Sequence, residues 1–71
     1  MKKIVRHLNP PTKCDICHSQ VGDEFFDAKT INGPWANMCT ECFNTIGVGL
    51  GTGLGQMYKK QEDSSYIKVA G

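Results

Sequence analysis

The sequence predicts a small α+β domain, and three observations lead to this prediction. All four cysteines fall into two Cys-x-x-Cys pairs, Cys14 with Cys17 and Cys39 with Cys42. The dipeptide Asn32-Gly33, which lies between the pairs, is a strong signal for a hairpin turn. A short segment that begins at the second pair and stops at a glycine is typical of a helix. With 71 residues, the chain is long enough for one domain with a small core.

The two cysteine pairs predict a structural zinc site. Two residues between the cysteines let both sulfurs turn toward one point, and two such pairs supply the four thiolates that tetrahedral Zn²⁺ prefers. A structural zinc contributes about 10–16 kcal/mol of apparent binding free energy to the folded form only, so we expect the metal-free chain to be largely unfolded. We expect His18 to be exposed or to donate a hydrogen bond near the site. The predicted ligands are Cys14, Cys17, Cys39 and Cys42.

Charge and hydropathy restrict the partners and the compartment. The formal net charge is +1, and four thiolates with one Zn²⁺ together add two negative charges, which gives about −1 for the loaded protein. The net charge therefore does not imply strong nonspecific binding to nucleic acid. No apolar run follows the first lysines as in a secretory signal, and no stretch is apolar enough to cross a membrane. We therefore expect a cytoplasmic protein with reduced cysteines.

A β-hairpin is predicted between the two cysteine pairs. Residues 24–31 form its first strand and residues 34–38 return toward the second pair. Trp35 is the largest apolar side chain, and we expect it to anchor the core beside the metal. The alternative is an exposed platform on which a base or a partner side chain stacks. Alternation places Phe26, Ala28 and Thr30 on one face of the first strand and Phe25, Asp27 and Lys29 on the other.

The second cysteine pair is predicted to open a short helix over residues 39–46. Amides at the start of a helix and its positive dipole end suit thiolates. Phe43 and Ile46 are three residues apart and can share the buried face. Gly47 fits the end of the helix.

Glycine occupies every second position of residues 47–55. In an extended segment all five glycines would lie on one face, which would leave that backbone open to close approach. This segment is interpreted as a linker or a strand packed under an aromatic ring, as a protein contact, or as an anion or nucleic-acid contact. An extended strand of this kind could also pair with a second copy of the chain, so both a monomer and a dimer are compatible with the sequence.

We divide the single predicted domain, residues 1–71, into three segments. Residues 1–13 form a basic arm, residues 14–46 a four-cysteine zinc finger, and residues 47–71 the glycine-rich segment with a C-terminal tail. Within the tail, residues 66–69 are predicted to form a closing strand after a polar loop. A nucleic-acid interface would require the basic candidates to converge on one face with an aromatic side chain. The candidate partner contacts are Lys2, Lys3, Arg6, Trp35, Tyr58, Lys59 and Lys60.

Two resemblances follow from these motifs. A Cys14-Asp-Ile-Cys17 knuckle, a hairpin, and Trp35-Ala-Asn-Met-Cys39-Thr-Glu-Cys42 opening a helix resemble treble-clef zinc fingers over residues 14–46. A zinc ribbon, which continues as a strand after its second knuckle, is the competing fold. Gly33-Pro-Trp-Ala-Asn-Met-Cys39, together with the glycine-rich segment, also resembles small zinc-finger proteins of bacteriophages. That second resemblance implies a small accessory protein inside a bacterial host and no specific activity.

The leading functional hypothesis is a zinc-stabilised module that binds nucleic acid or a host protein. One alternative is an iron electron carrier like rubredoxin, although that family has glycine after each pair where this chain has His18 and Phe43, and proline where it has Thr40. The other is a non-catalytic relative of treble-clef nucleases, which carry catalytic histidines on the hairpin and helix. This predicted hairpin and helix contain no histidine, and four cysteines leave no open position on the metal, so we expect no enzyme activity.

Overall fold

The structure, a computed structural model, describes residues 5–7 and 9–71, and within these ranges the chain forms four strands and one helix. The strands build one antiparallel sheet in the order β2-β1-β3-β4. The α+β class is thus confirmed. In the same ranges no helix combines the length and the apolar character that a bilayer crossing needs. The elements are β1 (Glu24–Lys29), β2 (Trp35–Met38), α1 (Thr40–Ile46), β3 (Gly55–Lys60) and β4 (Tyr66–Ala70).

The predicted hairpin is formed by β1 and β2. Its register places Lys29 opposite Trp35, and the turn between them includes Gly33 with a φ of 105°. The Thr30 hydroxyl donates to the Pro34 carbonyl at 2.8 Å, and the Thr30 amide donates to the same carbonyl at 2.9 Å. These bonds close the turn at Thr30, so β1 ends two residues before the predicted end of the strand.

Strand β3 was not predicted from the sequence, although it lies at the centre of the sheet. It pairs with β1, where Tyr58 lies opposite Phe25, and with β4 on its other side. The predicted closing strand is confirmed as β4, which extends one residue further, to Ala70. The last third of the chain therefore supplies two of the four strands of the sheet.

The sheet carries a small core on each of its faces. On the helix side, Cys14, Phe26, Ala28 and Met38 are buried, and α1 packs against them. The ring of Phe26 stacks on that of Phe43, with 4.1 Å between the ring centroids. On the opposite side a second cluster buries Val21, Phe25, Tyr58 and Tyr66.

Aromatic rings dominate the second cluster. The rings of Phe25 and Tyr58 stack at 5.1 Å, and Tyr66 packs edge-on against Phe25 at the same distance. The Tyr66 hydroxyl donates to the Gly22 carbonyl at 2.7 Å, which satisfies its polar end. His7 packs edge-on against both Phe25 and Tyr58, so the described part of the N-terminal arm contributes to this core. Burial, and then the charge of Asp27, raises the pKa of Tyr58.

The glycine-rich segment is a closed loop, so its prediction as an extended segment is wrong. Gly49, Gly51 and Gly53 have φ angles of 141°, 127° and 79°, which turn the backbone repeatedly. Gly51 and Gly55 exchange two backbone hydrogen bonds of 2.9 and 3.0 Å across the loop. Three of the five glycines in the period-two pattern thus adopt backbone conformations that favour glycine.

Gly55 lies at the start of β3 opposite Ala28 of β1, and its replacement by alanine is expected to destabilise the protein by about 1–3 kcal/mol. A Cβ atom at Gly55 would lie 2.5 Å from the Ala28 Cβ and 2.8 Å from the Gly49 carbonyl oxygen. Gly22→Ala is the matched control, because no atom lies within 4 Å of the corresponding position. Urea unfolding of both metal-loaded variants measures the difference, and equal midpoints would contradict the close approach of the two strands.

Candidate metal centre

The structure brings the four cysteine sulfurs together. The Sγ atoms of Cys14, Cys17, Cys39 and Cys42 all lie within 4.8 Å of one another, and those of Cys17 and Cys39 are 3.7 Å apart. Thiolates around a tetrahedral Zn²⁺, with Zn–S bonds of about 2.3 Å, lie about 3.8 Å from one another. All four cysteines are free of disulfides. The cluster therefore has the donor set and the spacing that a tetrahedral metal ion needs.

The first pair lies in a tight knuckle. The Cys14 amide donates to the Ser19 carbonyl at 2.8 Å, and the His18 amide donates to the Cys14 carbonyl at 3.0 Å. The Ile16 amide points at the Cys14 sulfur from 3.4 Å, so it can partly neutralise a thiolate there. His18 has a φ of 63° and an exposed side chain, and it is not a member of the four-residue group.

The second pair opens α1 as predicted. Cys39 is the N-cap residue, and its carbonyl accepts the first helical hydrogen bond from the Phe43 amide at 2.9 Å. Cys42 therefore lies in the first turn, where the helix dipole favours negative charge. The Thr40 hydroxyl donates to Glu24 Oε1 at 2.8 Å and thereby ties the start of the helix to the start of β1.

Asp15 joins the two halves of the centre, a role that the sequence analysis missed. Its amide donates to the Asn37 carbonyl at 2.9 Å, and its carboxylate accepts from the Asn37 amide at 2.9 Å. Asn37 lies in β2, two residues before Cys39, so this pair of bonds fixes the first knuckle against the strand that leads into the second. The position of an acidic residue inside the knuckle was the only sequence signal for this contact.

The electrostatics of the cluster favour a cation. Burial raises the pKa of Cys14, but backbone hydrogen bonds at Cys17, Cys39 and Ile16 outweigh it and leave the pKa lowered. Hydrogen bonds from Ser19 lower the pKa of Cys17 to about 6. Burial, and then the neighbouring thiols, raises the pKa of Cys42 to about 12. Sulfurs this close cannot all carry a negative charge in the absence of a cation, and a divalent ion removes this obstacle.

Among the described residues, the predicted partner contacts divide between the two faces of the sheet: Arg6 and Lys59 lie on the helix side, whereas Trp35, Tyr58 and Lys60 lie on the opposite side. Lys2 and Lys3 lie outside the described residues. Lys59 and Lys60 are both exposed, but consecutive strand residues point to opposite faces of the sheet. The pairing of Arg6 with Ile67, which itself pairs with Lys59, places Arg6 on the helix side. Tyr58 is buried in the second core, so its predicted contact with a partner is not supported by its position.

Trp35 is 47% exposed, and its prediction as a core anchor is wrong. It lies on edge strand β2, opposite Lys29 and on the face away from the helix, beyond the end of the second core. Its alternative interpretation, an exposed platform for a partner, is compatible with this position.

Comparison of the chain with protein-family models, curated proteins and solved structures finds no match. A functional interpretation of the chain therefore depends on the cysteine cluster and on the surfaces that surround it.

Proposed function

We propose that this chain is a binding module built on one structural Zn²⁺. The observation that carries the proposal is the meeting of four cysteine sulfurs from two distant knuckles within 4.8 Å. Cys14 also belongs to the core on the helix side, so the metal and the apolar cluster stabilise the same elements. Four thiolates complete a tetrahedral coordination sphere, which suits a structural site and leaves no position for a substrate. The role is therefore binding and not catalysis.

Zinc is the metal of this proposal, and iron is the alternative. Four thiolates in tetrahedral geometry accept either ion. The residues that follow the two pairs, His18 and Phe43, differ from the glycines of rubredoxin-like iron sites, and this difference favours zinc. Metal analysis of the purified protein distinguishes the two, because an iron centre of this kind would also colour the protein red.

The order of elements supports a treble-clef zinc finger. The knuckle precedes the hairpin β1–β2, and the second cysteine pair opens α1 directly after β2. A zinc ribbon would continue as a strand at this point. In this proposal, β3 and β4 extend the hairpin into a four-stranded sheet.

A protein partner is favoured over nucleic acid. Of the described basic candidates, Arg6 and Lys59 lie on the helix side of the sheet and Lys60 lies on the other side, so these three do not share one phosphate-binding surface. A groove of about 350 Å³ beside Cys17 and Cys39 is lined by three acidic side chains, which would repel phosphates. These acidic residues are Asp23, Glu24 and Glu41. On the resemblance to bacteriophage proteins alone, we extend the proposal to an accessory protein that acts on a host protein in the bacterial cytoplasm.

Removal and return of the metal test the proposed role. We expect one zinc per chain by elemental analysis, and we expect a strong chelator under reducing conditions to abolish the dispersed amide spectrum that NMR records for a folded chain. Added Zn²⁺ should restore that spectrum, because the apparent binding energy is available only to the folded form. A dispersed spectrum of the reduced, metal-free chain would overturn the structural role, and stoichiometric iron would overturn the choice of zinc.

A further inference from the structure

Exposed apolar side chains concentrate at one end of the sheet. In the described part of the chain, five of the eight exposed large apolar side chains belong to the hairpin turn, the start of β2 and the glycine-rich loop. Their exposed fractions range from 37% to 65%. We call this group the hairpin-tip patch, and it consists of Ile31, Trp35, Val48, Leu50 and Leu54.

Lys29 brings the segments of the hairpin-tip patch together. Its amide donates to the Leu54 carbonyl at 2.8 Å, and its carbonyl accepts from the Val48 amide at 3.2 Å. Trp35 lies directly opposite Lys29 in the hairpin register. The Ile31 amide donates to the Ile46 carbonyl at 2.8 Å, which holds the turn against the end of α1. The hairpin and both ends of the loop are thus fixed around one residue.

The two segments that supply the hairpin-tip patch carry one positive charge. Lys29 is exposed, and it is the one charged residue within residues 29–35 and 48–54, the two segments that supply the hairpin-tip patch; half-buried Asp27, two residues earlier in β1, is the next charged residue on the same face of that strand. A partner that covers the apolar side chains must therefore also neutralise or solvate one ammonium group. A carboxylate surrounded by aliphatic side chains provides both contacts, since it pairs with the ammonium while apolar surface is buried around it.

The glycines of the loop add a second feature. No atom lies within 4 Å of the positions that Cβ atoms would occupy at Gly49 and Gly53. A partner's backbone can therefore approach the loop closely at these two positions. This suits an extended or helical protein segment better than a small ligand.

A second copy of the chain is a poor occupant of the hairpin-tip patch. A two-fold contact centred there would place Lys29 near its own copy, and like charges in an interface are unfavourable. Part of each sheet edge is also covered within the chain. Asp15 bonds the outward-facing groups of Asn37 on β2, and Val5 and His7 bond β4.

Nucleic acid is also a poor occupant. Single-stranded nucleic acid requires a row of cations along its backbone as well as aromatic rings for stacking. The hairpin-tip patch offers one indole with Lys29 beside it, and its remaining side chains are aliphatic.

We propose that the hairpin-tip patch binds a protein segment in which aliphatic side chains surround one carboxylate, with Lys29 paired to that carboxylate. This inference rests on the proposed function, because the metal-loaded fold presents the surface. It goes further than the proposed function in naming the surface and the chemistry of the partner.

Selection from a displayed library of random 12-residue peptides tests this inference. With zinc-loaded wild-type protein as bait, we expect the enriched sequences to combine several aliphatic residues with one aspartate or glutamate. With Lys29→Glu as bait, the acidic position should change to lysine or arginine. A synthetic peptide of the enriched sequence should bind Val48→Ser at least tenfold more weakly than wild type, measured by fluorescence anisotropy.

The matched controls lie on other parts of the sheet. Val5 is 38% exposed, similar to Val48, but it lies beyond β4 at the far edge of the sheet, so Val5→Ser should bind the peptide like wild type. Lys60→Glu makes the same charge change as Lys29→Glu at the other end of β3 and should leave the selected sequences unchanged.

Zinc content and NMR dispersion of each bait are measured first, which separates this inference from the proposed function. A folded, zinc-loaded bait that enriches no common sequence would overturn the inference and leave the proposed function intact. Selection of the same peptides by Lys29→Glu would overturn it as well. Two further results would do so: a dimer, seen by light scattering, that Val48→Ser dissociates, or salt-dependent binding of labelled single-stranded DNA that Lys29→Glu abolishes.

Discussion

Replacement of Cys14 by serine is expected to leave the chain largely unfolded even with excess zinc. The variant loses one of four ligands, and it also places a hydroxyl in the core position that the sulfur occupies at 1% exposure. The apparent binding free energy of a structural zinc, about 10–16 kcal/mol, is as large as the whole free energy of unfolding of a typical domain. NMR amide dispersion and zinc stoichiometry measure the result.

Ile16→Ser is the control for this prediction, since Ile16 belongs to the same knuckle but its side chain is exposed. We expect this variant to bind one zinc and to differ from wild type by no more than about 0.5 kcal/mol in its free energy of unfolding. A folded Cys14→Ser variant that still holds a full equivalent of zinc would show that three cysteines suffice, which would contradict the assigned role of Cys14.

Phe25→Ala is expected to lower the free energy of unfolding by about 3–5 kcal/mol. Phe25 is fully buried on the face of the sheet opposite the helix, where its ring contacts Tyr58, Tyr66 and His7. Truncation would leave three aromatic side chains around a cavity in a domain with little other core on that side. Urea unfolding in excess zinc measures the loss while the metal term is held constant.

Two further variants provide comparisons for Phe25→Ala. Ile31→Ala also removes a large apolar side chain, but from a position that is 65% exposed, so its effect should stay within about 0.5 kcal/mol. Phe25→Leu retains part of the buried volume and should give an intermediate loss if Phe25→Ala is too unstable to measure. A Phe25→Ala variant as stable as wild type would show that the second core contributes nothing.

The cysteine pairs, the hairpin and the helix could be predicted because their signals are local. A Cys-x-x-Cys spacing fixes the direction of both sulfurs, and an Asn-Gly turn fixes the reversal of the chain, independently of the rest of the fold. The helix bounds also followed from a local pattern that runs from Cys39 to the glycine after Ile46. These elements together account for the position of every predicted metal ligand.

The remaining features depend on pairing between distant segments. Strand β3 lies between β1 and β4, and its own residues alternate too weakly to predict a strand. Trp35 is exposed because it lies on the edge strand, on the face away from the helix and beyond the end of the second core, a position that only the whole sheet determines. The glycine-rich segment was predicted to be extended because a period of two is typical of a strand. In the structure, three of its glycines instead have positive φ angles in a loop.

The residues that form a surface for a partner also depend on pairing between distant segments. Lys59 and Lys60 are neighbours in sequence, but the strand turns them to opposite faces. Conversely, three parts of the chain meet at Lys29. It lies opposite Trp35 in the hairpin, and its amide donates to the Leu54 carbonyl on the other side. The chemistry of a surface follows from the register of the strands, and the sequence predicted the hairpin turn but no register.

The bonds between Asp15 and Asn37 link the candidate metal site to the covering of a sheet edge. They cover the outward-facing N–H and C=O of Asn37 on the edge strand β2, and Asp15, which makes them, lies inside the first cysteine knuckle. A chain that loses its metal loses this cover as well, and an uncovered strand edge is a template on which other chains can add. Under the proposed function, removal of the metal is therefore expected to produce β-paired aggregates in addition to unfolded monomers.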